Sequence, residues 1–334
     1  MDNQNQQRVL TDLEFNELNQ RGVLVIKNVL TSEEVSEFRA SFHAHLMNTV
    51  QCDVGNLEET ASNLSHLSST GGAGGILDIF YAEWKLKINE HPKIYSLMCD
   101  IWRRTYSKNS GVYTHPYTTS GTDSNNNNTD SELSFNPDHG YMYIDRVGYR
   151  VPDTIAKLHT GVTKKKKPLQ RSLTPHLDCC PHKLYNNEKE FPKWRPIQMF
   201  LPLTDTVNKD EGGFEVCPGM HNEFDHWVST RKPSTTHNTN SNNTTNTNNS
   251  NNNSNGTGIY DESIVAPHPP CVGDFTPIRP LEDADVLKRM EHVPCSAGDL
   301  VVWDYRLPHS NSRFNKLETA REVIYLGNLT CDYI

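Results

Sequence analysis

A mainly-β chain with flanking helices is what this sequence predicts, on three observations. Trp194–Leu203 alternates, with Ile197, Met199 and Leu201 on one face and Gln198 and Phe200 on the other, the two-residue period of a strand. The Gly298-Asp299 turn introduces Leu300-Val-Val-Trp, and Arg321 opens Val323-Ile-Tyr-Leu; both are continuous apolar runs of buried-strand type. Helical signals gather instead in the first hundred residues.

Those helices have legible ends. Thr11-x-x-Glu14 is a capping box, Leu13, Phe15 and Leu18 supply an apolar side, and Gly22 ends the turn. Val23–Ile26 reads as a buried strand. Thr31 or Ser32 caps a second helix with Val35, Phe38 and Phe42 on one side. Gln51–Gly75 carries little signal, and Gly71–Gly75 lacks the strand-before, helix-after setting of a nucleotide fingerprint, so it reads as a flexible loop. Ile76–Cys99 reads as largely helical, broken near Pro92. Ser120–Ser131 and Ser234–Asn255 are polar low-complexity tracts that cannot bury apolar surface, and they read as disordered loops. The strand-rich core is expected to start near Thr154–Leu158, continue through Arg171–Pro175, and take in Gly212–Val216 before the final runs.

The chain is read as a single domain over 1–334, with 1–100 as support, 150–334 as the core and 234–255 as an insert. The formal charge of -9 weighs against a broad basic surface for duplex nucleic acid. Lys164–Lys167 reads as a solvated loop. No apolar leader and no run of membrane-spanning length is visible. The eight cysteines form no Cys-x-x-Cys pattern, and the adjacent Cys179 and Cys180 suit packing better than a disulfide, which points to a reducing, cytoplasmic setting.

Chemistry-bearing residues concentrate at two places. His176 and Asp178 lie in Thr-Pro-His-Leu-Asp, at the end of a short extended run. His309 follows the Leu300–Trp303 strand. His-x-Asp alone is weakly specific; a second histidine after a later strand and a cation at the head of the last strand make the combination informative. Two imidazoles and a carboxylate on one face of a metal leave the opposite face open, the donor set of non-haem Fe(II) oxygenases.

The chain resembles the phytanoyl-CoA dioxygenase family of 2-oxoglutarate-dependent oxygenases. The likeness runs from Leu13–Val35 through His176-Leu-Asp and Gly212-Gly-Phe-Glu-Val-Cys-Pro-Gly-Met-His to the Gly-Asp strand, His309 and Arg321. The resemblance implies a double-stranded β-helix, the jelly roll also found in cupins, holding Fe(II) and 2-oxoglutarate. It implies hydroxylation of a small molecule or an amino-acid side chain by O2, with succinate and CO2 as coproducts. His176, Asp178 and His309 would be the metal ligands. Arg321 matches the family's basic residue for the distal carboxylate, a role suited to a planar guanidinium, although the spacing from His309 is one residue longer than usual; Arg313 is the competing cation. Lys157 and Gln198, both on expected strands, are further candidates for the cosubstrate, and Thr174 for a ligand carboxylate. Trp303 reads as core, and the Cys179–Lys193 loop as part of a substrate rim. No residue identifies the prime substrate. Two alternatives stay open: a cupin-like metal enzyme with non-oxidative chemistry, and a decayed binding module that keeps only the barrel.

Overall fold

A computed structural model describes residues 8–105, 140–159, 168–179, 197–230 and 276–330. The two Asn-rich tracts, Lys164–Lys167, positions 180–193 and Trp194 lie outside them.

Helix α1 (Asp12–Arg21) begins with the complete Thr11–Glu14 capping box and closes on Gly22 at φ 72°, where glycine carries no Cβ penalty. Leu18 is buried but Leu13 is 82% exposed, so the apolar side is narrower than the sequence suggests. Strand β1 (Val23–Ile26) leads to α2 (Ser32–Val50), which Thr31 caps with Glu34. Phe42 on α2 stacks on Trp84 at 5.0 Å and meets Tyr149 edge-on at 5.7 Å, which fixes the helix against the strand layer. After α3 (Leu57–Thr60) come β2 (Ile76–Leu77), α4 (Glu83–Asn89) and α5 (Pro92–Thr105). The expected long helix therefore opens with two strand residues and restarts at Pro92, whose missing N–H is harmless in a first turn.

The remaining elements are β3 (Gly140–Arg150), α6 (Asp153–Leu158), β4 (His176–Leu177), β5 (Ile197–Pro202), β6 (Phe214–Val216), α7 (Phe224–Thr230), β7 (Thr276–Pro277), α8 (Ala284–Lys288), β8 (Glu291–Val293), β9 (Leu300–Asp304), β10 (His309–Asn311) and β11 (Arg321–Thr330). They form two antiparallel sheets, ordered β1-β9-β5-β11-β3-β2 and β7-β4-β10-β6-β8. From β3 to β6, and again from β9 to β11, consecutive strands alternate between the sheets. Phe200 and Trp303 of the larger sheet meet Phe214 of the smaller at 5.4 and 4.7 Å, so the aromatic core lies between the two layers.

Three expectations are corrected. Thr154–Leu158 is helix α6, not a strand: Pro152 sets the turn at φ -51°, Asp153 and Lys157 complement the helix dipole, and Ala156 packs inward. The strand that precedes it is β3. Strand β1, read as mere support, is an edge member of the larger sheet, with Val23 opposite Trp303. The Gly71–Gly75 segment is not a free loop. Gly74 donates to the Arg171 carbonyl and Arg171 N donates to that of Gly72, at 2.8 and 3.0 Å. A Cβ on Gly72 would sit 2.0 Å from the Leu169 carbonyl oxygen, so the glycine permits this close approach.

Candidate metal centre

The site is built on the smaller sheet. His176 on β4 and His309 on β10 are direct cross-strand partners, and their rings stand 4.5 Å apart between centroids. Asp178 follows β4 by one residue. His176 Nε2 lies 3.3 Å from Asp178 Oδ1, and His309 Nε2 lies 3.4 Å from Asp178 Oδ2. One donor atom from each of the three residues falls within 4.8 Å of the other two.

The backbone decides which ring nitrogen points inward. His176 Nδ1–H donates to the Thr174 carbonyl at 2.8 Å, and His309 Nδ1–H donates to that of Leu307 at 3.0 Å. Each bond fixes the tautomer and leaves the Nε2 lone pair facing Asp178, the usual outer arrangement of metal-binding histidines. Burial, followed by the neighbouring His176, pushes the His309 pKa down and favours the neutral, ligating form. Burial raises the Asp178 pKa, but the two imidazoles set against its oxygens outweigh it and hold the carboxyl well below the usual range. Gln198 on β5 donates from Nε2 to Asp178 Oδ2 at 2.7 Å, so the larger sheet steers the carboxylate. Two imidazole nitrogens and one oriented carboxylate suit a divalent transition metal with positions left over.

The three residues face a cavity of about 200 Å³, whose described walls include Gln198, Trp303, Asp145 and Arg146. Gln198 Oε1 and Trp303 Nε1 are buried there without partners, an acceptor and a donor left over beside the centre. Trp303 is core, as expected, yet its ring also stands 5.3 Å from that of His309.

Arg321, the first residue of β11, is 1% exposed, and its Nε and Nη1 have no partner. Its guanidinium carbon lies 5.3 Å from the Phe200 ring centroid, and Phe200 packs on Phe214 and Trp303. The guanidinium is thus not among the described residues lining the cavity; aromatic rings connect the two. Arg313 is exposed, with its guanidinium beside Phe314. Thr174 is exposed and contributes its carbonyl to His176, not its hydroxyl to a carboxylate. Lys157 is exposed on α6 and is not among the described cavity-lining residues; the strand that suggested it does not exist. Cys179 is buried, its carbonyl accepting from Thr276 Oγ1 at 2.7 Å, as a packing residue does.

Sequence reasoning missed Asp145 and Arg146. Their signal was present in Gly-Tyr-Met-Tyr-Ile-Asp-Arg-Val-Gly-Tyr-Arg, where two adjacent charges interrupt a strand-like run. No helix among the described residues is long and apolar enough to cross a membrane.

No protein-family model matches the chain, and no curated protein matches it in sequence. Solved structures share its fold. A hypothetical protein from Escherichia coli is similar at a TM-score of 0.59 and 14% identity, over 97% of this chain and 69% of its own. The product of a GlcNAc-inducible gene from Candida albicans, of the DUF1479 group, is similar at 0.58 and 13%, over 98% of this chain. The present chain spans 64% of that protein's length. The epimerase SnoN, crystallised with Fe3+, α-ketoglutarate and nogalamycin RO, is similar at 0.48 and 14%, over 95% of this chain and 82% of its own, a superposition too loose to argue from.

Proposed function

We propose that this chain is an Fe(II)- and 2-oxoglutarate-dependent oxygenase that hydroxylates a small molecule or an amino-acid side chain, on a jelly roll of the phytanoyl-CoA dioxygenase kind. The observation that carries the reading is the facing pair of imidazole Nε2 atoms with Asp178 between them, their Nδ1–H groups tied to backbone carbonyls. The alternation of strands between two sheets supports the jelly roll. The metal site, when loaded, supplies the oxidising chemistry, in which 2-oxoglutarate and O2 give succinate, CO2 and one hydroxyl on the substrate.

The chain's own residues have distinct duties in this reading. His176, Asp178 and His309 hold the metal. Gln198 keeps the Asp178 carboxylate turned toward the imidazoles. Arg321, buried with two unpaired nitrogens, neutralises the distal carboxylate of the cosubstrate once Phe200 and its ring neighbours make room. Phe214 and Trp303 keep water from the reacting centre. Arg313, at the surface, has no such duty.

The test is anaerobic titration of the metal-free protein with Fe(II), followed by 2-oxoglutarate and then air. One tightly bound iron and iron-dependent formation of succinate are expected, both lost in His309→Ala. Arg321 standing outside the cavity favours one competing reading, a cupin-like metal enzyme with non-oxidative chemistry. Tight metal binding with no 2-oxoglutarate affinity or turnover would decide for that alternative.

A further inference from the structure

This inference rests on the oxygenase reading and concerns what the cavity selects. Strands β3 and β11 pair with one irregularity: Ile324 faces Val147 and Leu326 faces Ile144. Tyr325 therefore stands opposite two residues, Asp145 and Arg146. This is a β-bulge, and bulges re-aim side chains. On an unbroken strand, neighbours point to opposite faces. Here both line the cavity that holds the triad.

Asp145 and Arg146 are the charged residues among the described lining besides the triad. Arg146 Nε lies 3.7 Å from Asp145 Oδ1, an ion pair too long for a strong hydrogen bond, while the Arg146 backbone N–H donates to that same oxygen at 2.7 Å; the side chains keep 38% and 22% of their exposure. Asp145 also feels the charge of buried Lys85. The wall around the pair includes Ile76, Leu173, Met199 and Leu326, all apolar.

A ligand with only a carboxylate would compete with Asp145 for Arg146 and bring a like charge beside that carboxylate. A ligand with only an ammonium would do the reverse. A ligand carrying both replaces one loose ion pair by two charge-assisted contacts and sets no like charges together. We propose that the Asp145–Arg146 bulge is the specificity element for the prime substrate, and that this substrate is a small zwitterion with an aliphatic body. Its anionic group sits on Arg146 and its cationic group on Asp145. A free aliphatic α-amino acid has this chemistry.

Isothermal titration of the metal-free protein tests the assignment without any turnover. The probes are L-leucine, L-isoleucine and L-methionine, each beside its N-acetyl and its amide form. At least one free amino acid should bind tenfold or more tightly than both blocked forms. Arg146→Gln and Asp145→Asn should each abolish that preference, and Arg146→Lys should restore part of it, with circular dichroism showing each variant folded. The assignment is overturned if no free amino acid outbinds its blocked forms, if the variants keep the preference, or if Arg146→Gln loses 2-oxoglutarate affinity instead. Iron-dependent succinate formation by the wild type separates the two levels. Its absence beside an intact amino-acid preference sinks the oxygenase reading and leaves the recognition element standing. Its presence without the preference removes the recognition element alone.

Discussion

Arg321 offers the sharpest test, because its structural cost and its proposed duty have opposite signs. A guanidinium at 1% exposure with Nε and Nη1 unpaired is a liability to the folded chain. Its cross-strand neighbour is Arg150, also buried, whose pKa is pushed down first by burial and further by the like charge of Arg321. The Phe200 face at 5.3 Å returns about 2 kcal/mol, against a desolvation cost of roughly several kcal/mol per buried ion. Arg321→Met keeps the length and apolar stem and removes the charge. We expect it to stabilise the ligand-free protein by about 1–3 kcal/mol, or roughly 2 °C in Tm per kcal/mol for a chain of this size. The cosubstrate should report the other sign. With Mn(II) as a redox-quiet metal, 2-oxoglutarate at about a hundredfold over Kd stabilises the wild type by roughly 2.7 kcal/mol, and this upward shift should vanish in the variant. Differential scanning fluorimetry reads both. A Tm several degrees lower would show that the guanidinium is satisfied within the fold. An undiminished 2-oxoglutarate shift would remove Arg321 from cosubstrate binding.

Three further outcomes are expected. Gln198→Leu frees the Asp178 carboxylate to rotate and should weaken Fe(II) binding about 10- to 100-fold, as measured by competition with a chelator, while the fold persists. Lys85 Nζ is buried without a hydrogen-bond partner, and burial pushes its pKa down to about 8 from an ordinary 10.5 despite the charge of Asp145. Between those values the unfolded chain holds a proton the folded chain lacks, so wild-type stability should rise with pH across that window; Lys85→Met should gain about 1–3 kcal/mol at pH 7 and lose the advantage above pH 10 in urea melts. Glu322 is 2% exposed and takes Arg39 Nη2 and Nε at 3.0 and 3.1 Å and His43 at 2.8 Å, tying α2 to the strand of Arg321; Glu322→Gln should cost about 1–3 kcal/mol in thermal unfolding.

Much of this architecture could be read from residue patterns, for local reasons. Capping boxes at Thr11 and Thr31 act within one helical turn, so four residues suffice to see them. The apolar runs of β5 and β9 are buried throughout, and burial is what apolar runs report. His309 was legible as a candidate because it follows such a run, and His176 because of its His-x-Asp spacing, although the strand expected at Arg171–Pro175 is confined to His176–Leu177. Their mutual orientation was not, since it depends on the Thr174 and Leu307 carbonyls and on the pairing of β4 with β10. Thr154–Leu158 misled because five residues are too few to separate a helical period from a strand period, and with it went the case for Lys157. Gln198 fell on its expected strand, but that strand is buried on both faces, so alternation could not say that the amide meets Asp178. The bulge at Asp145 and Arg146 exists only relative to β11, and pairing register is a property of two strands, invisible in either one.

The position of β1 sets a schedule for biosynthesis. Lys27, just past this strand, pairs with Asp299, 272 residues later, and Val23–Ile26 finds its hydrogen-bonding partner in Leu300–Trp303. At ordinary ribosomal rates, on the order of tens of seconds separate the emergence of the two. Throughout that interval the nascent chain carries an apolar strand with both edges open, which invites pairing with other chains. The proposed metal ligands are divided in the same way, since His176 precedes its β10 partner His309 by 133 residues, nearly half of that separation. Chains arrested before residue 300 should therefore be protease-sensitive around Val23–Ile26 and unable to retain metal, and both properties should change together once β9 and β10 have left the ribosome.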